Sequence, residues 1–373
     1  MSATISAKER LKYGREITVE SNEMNFWGQL KKADKNAIIQ TELQTDNEPN
    51  GAKVRIYFND KVKGAGIRGN TDHEDNRGTQ AELYQDVTYS LFGNSLKSKK
   101  IKLENKLATA GFREKAATGL KNWVAEREDR IITAKVSANC TNIVACKNGG
   151  VYDKNNTSDI QEGDIFSTRA IKEAKRRARN GLDGDGKSHP PMRPFRKMVK
   201  NAGGIIVPVN YYIMVIGMYA ADQLDLDPLW LEAQKMAAAR KVAELDIISG
   251  YKGIYDGVII VERENWNSEL SGVVTSETAD FEDYAGDFGI YAGKNGIETE
   301  VNIFLGASAL LMPMDEGFEY REPMDEENKK MICLIERGLG IEKTRFVGET
   351  TQEKKSIYHN KDFGAMAIVN SIK

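Results

Sequence analysis

From Leu107 to Val136, apolar residues return every three or four positions. Phe112, Ala116, Leu120, Trp123, Val124, Ile131 and Ile132 fall on one stripe, with Lys115, Lys121, Glu126, Glu128, Asp129 and Arg130 on the other side. No proline interrupts the run, and Gly111 and Gly119 weaken a helix without breaking it. The spacing predicts one helix of roughly 40 Å at about 1.5 Å per residue, longer than most globular helices. Taken alone it is an ordinary long core helix, and its neighbours in the chain give it meaning.

Upstream, residues 1–44 are polar with isolated apolar anchors (Met24, Phe26, Trp27), as expected of an extended or partly helical arm that packs on something else. In Lys53 to Lys63, Val54, Ile56 and Phe58 alternate with Arg55, Tyr57 and Asn59, which is a strand with one apolar face. A glycine-rich, then strongly polar stretch from Gly64 to Gln80 leads to a second alternating strand from Leu83 to Tyr89. The basic segment LKSKKIKLENK then enters the long helix. Two strands around a long polar tip form an extended hairpin, which buries too little to be stable alone. Its partner surface is expected on another molecule.

Downstream, Ser137 to Gly163 is rich in Asn, Gly, Ser and Thr and reads as a surface loop or insertion. Ser167 is placed as an N-cap, Thr168 to Asn180 as a short basic helix and Gly181 as its stop. A strand is expected from Ile205 to Ile216 and a helical turn to Leu224. Asp227-Pro228 then caps and starts a helix from Leu229 to about Ala243. Strands follow at Gly257–Val261 and Val301–Met312, and a strand or helix at Met331–Arg337. Further strands are expected at Thr344–Val347 and Gly364–Ile372. Helices and strands mix without a regular βαβ repeat, so the class is α+β.

At 373 residues the chain has room for one large or two modest domains. The formal net charge of -2 gives no global pull toward nucleic acid or membrane. Asn201–Ala221 lacks charged residues, but Pro208, Asn210, Gly217 and a β-branched run make it a buried strand and not a membrane span. The N-terminus carries no secretion signal. Cys140, Cys146 and Cys333 are odd in number and irregular in spacing, which argues against a disulfide frame or a structural zinc. His73, His189 and His359 each stand alone.

Three motif matches fail on context. Gly64, Gly66 and Gly69 satisfy G-x-G-x-x-G, but a charged loop follows where a helix must receive the pyrophosphate. Gly181, Gly186, Lys187 and Ser188 satisfy the P-loop pattern. A basic helix precedes them, His189-Pro190-Pro191 follows, and Asp183 and Asp185 would repel phosphate from inside the loop. Asp-Phe-Gly occurs at 287–289 and 362–364 without the HRD segment that a kinase needs. No catalytic, cofactor-binding or metal-ligating residue is therefore assigned, and no enzymatic activity or cofactor is expected.

Charge is segregated locally. Thr168–Lys200 carries eleven Lys or Arg against three acids, whereas Glu262–Glu300 carries ten acids against two bases, and Asp315–Asn328 is also acidic. Such stretches on a near-neutral chain suit a self-assembling subunit, because complementary charge steers association and sets register. A basic patch also suits nucleic acid bound without reading sequence.

An arm, a projecting hairpin, a spine-like helix, a mixed domain and returning C-terminal strands occur in the order that resembles the major capsid proteins of tailed bacteriophages, the Hong Kong 97-type fold. Within that group the chain is similar to the N4-like podovirus major capsid family. The likeness is carried by KVRIYF followed by GAGIRGN, by LKNWVAEREDRII (Leu120–Ile132), and by the strand-to-helix stretch Ile205–Ala239 with Asp227-Pro228-Leu229-Trp230 and Ala233-Gln234. It extends through Gly253–Val261, Val301–Leu311, Arg345-Phe346 and Lys361-Asp362-Phe363-Gly364. Residues 137–163 and 262–300 have no match in it.

The resemblance implies an N-terminal arm (1–44), an extended hairpin loop (45–106) and a peripheral domain with the spine helix (107–199). An axial domain (200–315) and return strands of the peripheral domain (316–373) complete it. It implies a major head protein that self-assembles through hexamers and pentamers into an icosahedral shell around packaged double-stranded DNA. Assembly would occur in the bacterial host cytoplasm, with a scaffolding protein, a portal and a decoration protein as partners and no membrane. The chain starts almost directly with the arm, hence the separate scaffolding protein. The alternatives are an encapsulin-like nanocompartment shell and a P-loop nucleotide-binding enzyme.

Overall fold

The structure, a computed structural model, describes residues 7–43, 53–59, 82–98, 111–200, 206–239, 250–263, 291–323, 330–345 and 358–372. Among the described residues the α-helices are α1 (Ala7–Met24), α2 (Phe112–Ser137), α3 (Thr168–Asn180), α4 (Met218–Asp225) and α5 (Pro228–Ala239). Their apolar faces close on two mixed sheets and a separate ribbon. The ribbon pairs β3 (Lys53–Asn59) with β4 (Glu82–Thr88).

One sheet has seven strands. Its main path runs β1 (Lys31–Lys32), β2 (Ile39–Leu43), β13 (Leu310–Met314), β15 (Ile332–Leu339), β14 (Glu319–Arg321). In addition β5 (Ser90–Lys97) pairs with β15, and β16 (Glu342–Lys343) with β13. The other sheet has eight strands. It runs β10 (Tyr251–Tyr255), β11 (Val258–Glu262), β9 (Ile206–Ile216), β12 (Thr299–Leu305), β17 (Ala365–Ser371), β6 (Ile143–Lys147), β7 (Gly150–Val151). The remaining strand, β8 (Phe195–Lys200), pairs with β9.

The central strands of the larger sheet are covered on both faces, which is why they read as unbroken apolar runs. On one face Ile131, Ile132, Ala134 and Val136 of α2 pack with Trp27 against Ile303, Leu305 and Val369. On the opposite face Ala170, Ile171 and Ala174 of α3, Ala220 and Leu224 of α4 and Trp230 of α5 meet Met214, Ile260, Phe304 and Ile368. The first half of α2 serves a different core. There Ala116, Leu120 and Val124 pack with Ile17 of α1 and with Phe318, Tyr320 and Ile335 of the smaller sheet. The long helix thus holds the two sheets together along its length, as its continuous stripe predicts.

Several expectations are corrected. The spine helix begins at Phe112, after an extended Gly111, and not at Leu107. Glu128, placed on the outer face by the pattern, is buried with Lys31 at 2.6 Å and Arg337 at 3.2 Å. Residues 7–43 do not reach away from the body. Helix α1 lies on α2 and β14, with the Tyr13 and Tyr320 rings 5.3 Å apart, and β2 is an interior strand parallel to β13. The stretch 137–163 is not merely a surface loop: Ile143, Val144, Ala145 and Cys146 form β6, buried and parallel to β17. Four apolar residues between polar flanks carry too little periodicity to stand out.

The segment 45–106 also divides. Its strand β5 pairs along eight positions with β15 and belongs to the smaller sheet. The strand expected over Val301–Met312 is two strands, one in each sheet, broken at Gly306–Ala309 where Ser308 takes φ 54°. A side chain on Gly364 would stand 2.7 Å from the Ala309 Cα, so the chain crosses between the sheets only because that position is bare. The larger sheet therefore draws strands from the segments 107–199, 200–315 and 316–373 alike.

Candidate assembly surfaces

Among the described residues, none of the enzymatic patterns forms a site. Gly181 ends α3 in the left-handed conformation (φ 64°), and its N–H donates to the Arg177 carbonyl at 2.9 Å. The following turn is closed by an antiparallel bridge between Leu182 and Ser188. Its backbone N–H groups, which would have to face a phosphate, are taken by the chain's own carboxylate. Asp183 Oδ1 accepts from Asp185 at 3.0 Å and from Lys187 at 2.7 Å. His189 lies 3.5 Å from Asp183 inside the same turn. Burial, then the nearby Lys361 ammonium, lowers its pKa against the opposing pull of Asp183 and Asp362.

The second Asp-Phe-Gly is structural, because Asp362 is buried and accepts from the Thr141 N–H and Arg345 Nε. The first, like the glycines at 64, 66 and 69 and most of the acidic stretch 262–300, lies outside the described residues. The three cysteines are buried free thiols. Among the described residues no group of His, Cys, Asp or Glu is placed to hold a metal, and no helix is long and apolar enough to cross a membrane.

What the structure does present is surface. The basic helix α3 keeps only part of its charge for the outside. Arg177 is buried, donating to the Ile143 and Tyr152 carbonyls and pairing with Glu173, and Lys175 pairs with Asp256. Arg169, Lys172, Arg176 and Arg179 are exposed. Their spacing of three, four and three puts them on one stripe.

The junction of α4 and α5 exposes large apolar side chains beside acids: Leu226 is 77% exposed, and Leu229, Leu231 and Met236 are also exposed. Asp227 holds this corner to α3. As predicted it opens α5, its Oδ1 accepting from the Leu229 N–H at 2.9 Å. Its Oδ2 accepts both the N–H (2.8 Å) and the hydroxyl (2.7 Å) of Thr168, the first residue of α3. The expected cap, Ser167, makes no side-chain capping bond.

Burial raises the Asp227 pKa, but these donors outweigh it and hold the carboxyl below its ordinary 3.8. With a depressed folded-state pKa, its stabilisation is present above about pH 4 and is lost as pH falls through the folded value. Asp227→Ala removes a cap from two helices and should cost about 2 kcal/mol. Thermal melts should show the gap to wild type at pH 7 and its narrowing toward pH 3. An equal gap at both pH values would contradict the assignment.

The ribbon is the third surface. Among the described strands, β3 and β4 pair only with each other. Its base is held to the body: Gln85 donates to the Lys343 carbonyl at 2.7 Å and accepts from the Arg345 N–H at 2.8 Å, and Ile56 and Val87 pack on Leu311. On the alternate face of the ribbon, Arg55 pairs with Asp86 at 2.7 Å and lies over the Tyr84 ring.

A long helix spanning two mixed sheets, with a two-stranded ribbon leaving the smaller one, is the Hong Kong 97-type architecture of phage shell proteins. Solved capsids of that kind superpose over nearly the whole chain. The capsid of Helicobacter pylori bacteriophage KHP30 aligns with a TM-score of 0.71 at 22% identity, covering 93% of this chain and 91% of that one. The head of Helicobacter pylori bacteriophage KHP40 gives 0.69 at 19%, over 94% and 91%. The capsid of Ralstonia phage GP4 gives 0.66 at 15%, over 92% and 90%.

A family model described as phage capsid protein matches residues 6–372, and the chain belongs to that family. The major structural protein ORF14 of Helicobacter pylori bacteriophage KHP30 is 26% identical over 344 residues, 84% of this chain and 83% of that protein. The resemblance read from the sequence is thereby borne out, and the chain serves as the major capsid protein of a phage, a virion component that assembles into an oligomeric shell. The family is structural and not one of enzymes. Neither a nanocompartment shell nor a nucleotide-binding enzyme finds support in these matches.

Proposed function

We propose that the shell is the icosahedral head of a tailed bacteriophage, closed by hexamers and pentamers of this chain around packaged double-stranded DNA. Assembly takes place in the bacterial host cytoplasm with a scaffolding protein and a portal. A decoration protein completes the outside, and the DNA is contacted without sequence reading. In this arrangement the spine helix and the return strands make the peripheral part of each tile, and residues 200–315 the axial part.

The observation that carries the reading is the ribbon. Among the described strands, β3 and β4 have no third strand on either side, and such a pair gains stability only from a further surface. In a closed ring of copies that surface belongs to the next subunit. Deletion of residues 64–80 tests this. The subunit should keep its circular dichroism and melting transition, because the anchors at Gln85 and Val87 remain, yet form no shells in electron micrographs. Intact shells from the deletion variant would refute the ribbon's role.

A further inference from the structure

Cys140 lies three residues beyond the end of α2. Lys343 of β16 brings its Nζ to 3.3 Å from the Cys140 Sγ, across 203 positions of sequence. Both side chains are buried, Cys140 at 5% and Lys343 at 6% exposure. The amine is held from two other sides: it donates to the Ala138 carbonyl and stands 3.8 Å from the Asp362 carboxylate. The cysteine is held as well. Its N–H donates to the Tyr291 hydroxyl at 2.9 Å, and that hydroxyl donates to the Ser137 carbonyl at 2.7 Å. Arg345 adds a second cation, donating to the carbonyl of Asn139, the residue before the cysteine.

A thiol with cations beside it is the setting in which cysteine reacts, whereas one enclosed by apolar side chains is inert. The other two thiols supply the contrast. Cys146 and Cys333 are free and buried like Cys140, and among the described residues neither has a lysine in contact. Burial also selects the reagent. A peroxide scarcely larger than water reaches a sulfur that is nearly covered, and a bulky thiol such as glutathione does not. Once oxidised, Cys140 therefore has its nearest nucleophile inside the protein, the Lys343 amine on a flexible four-carbon stem.

We propose that Cys140 and Lys343 form a modification site, at which a peroxide oxidant joins them through a sulfur–nitrogen bond. In the first step the sulfur attacks one peroxide oxygen. The O–O bond breaks, sulfur gives up two electrons to become the sulfenic acid, and the other oxygen leaves as water. In the second step Lys343 Nζ attacks that sulfur, the S–N bond forms and the S–O bond breaks. Of the three ammonium protons, one leaves with the hydroxyl as water, one passes to the Asp362 carboxylate and one stays on nitrogen. The product is a sulfenamide, which a small thiol splits again. The inference stands apart from the shell reading, but its consequence falls on the ribbon. The Lys343 carbonyl accepts from Gln85 at 2.7 Å, so the bond ties the exit of the spine helix to the residue that anchors the ribbon's base.

Peptide mass spectrometry of the full-length chain, treated with hydrogen peroxide and digested by trypsin without reductant, reads the bond directly. Residues 136–147, which carry Cys140, should emerge joined to residues 338–345, uncut after Lys343. The joined species should be two hydrogens lighter than the sum of the two peptides, and fragmentation should place the link on Cys140 and not on Cys146. Dithiothreitol should separate the peptides and restore cleavage after Lys343. In Lys343→Arg the charge remains, but a guanidinium stays protonated and does not attack. Cys140 should then advance to the sulfinic acid with no link. Wild-type protein in which Cys140 stays reduced or reaches the sulfinic acid, while trypsin cuts fully after Lys343, would overturn the pairing. Equal linkage of Cys146 or Cys333 to lysines would do the same. Both of these readouts use the wild-type chain and hold even if the arginine variant does not fold.

Discussion

Replacing Glu128 with leucine should destabilise the free subunit by about 3–5 kcal/mol, the usual cost of leaving buried charge without its counter-ion. In a chain of this size that lowers the melting temperature by roughly 5 °C. Glu128 lies in the middle of α2 and is 1% exposed. Its carboxylate is held at 2.6 Å by Lys31, which enters from the N-terminal segment, and at 3.2 Å by Arg337 of β15. Burial disfavours the charged form, but the two cations outweigh it and keep the Glu128 pKa below the ordinary 4.5.

The triad therefore joins three segments far apart in sequence, and Asp129 next to it pairs with Arg263 after β11. Removing only the carboxylate takes from Lys31 and Arg337 the counter-charge they share. Adding Lys31→Met and Arg337→Met should recover most of the loss, since a buried ion cluster replaced whole by apolar groups costs little. Urea unfolding monitored by tryptophan fluorescence measures both steps. A Glu128→Leu subunit with an unchanged midpoint would show that the triad contributes nothing to the junction.

That triad also marks where sequence reading stops. A period of three and four finds α2 because the stripe from Ala116 to Ile132 lies on one side of a single element. It assigns Glu128 to the solvent because the residue's type is polar. Its partners stand 97 positions upstream and more than 200 downstream, and no local pattern carries that pairing. The same holds for Asp227. Its place before Pro228 announces the start of α5, whereas its second role at the N-terminus of α3 exists only once the chain has folded.

Strand β9 is legible because its apolar run is long, whereas β6 passes for loop because four apolar residues between Asn-rich flanks are too short to distinguish. The run through Leu305 and Leu310 is apolar on both sides of Gly306. Composition could not reveal that its halves belong to different sheets. Of the assembly surfaces, the basic helix was visible from its residues. Which of its cations are spent inside, Arg177 and Lys175 among them, was not.

Asp362→Ala is expected to be as damaging as loss of Glu128, about 3–5 kcal/mol for a broken buried ion cluster. Its side chain is fully shielded from solvent and faces Arg345 Nε at 2.6 Å and Lys343 Nζ at 3.8 Å. One oxygen also accepts the Thr141 N–H at 2.7 Å, four residues beyond the end of α2. The carboxylate thus ties the exit of the spine helix to the segment that follows β16 and to the entrance of β17. Gln85 holds the ribbon's base to the same segment through the Arg345 N–H and the Lys343 carbonyl. Asp362→Asn separates charge from shape: an amide retains the acceptor for Thr141 but leaves Lys343 and Arg345 facing no anion. If charge dominates, the Asn variant loses nearly as much stability as Ala. If the Thr141 bond dominates, it loses about 1 kcal/mol or less. Hydrogen exchange gives the independent readout, because the amides of residues 141 and 345 should lose protection in the Ala variant before those in the centre of β17. Uniform loss across the sheet would mean that Asp362 supports the whole core, with no special hold on the ribbon's root.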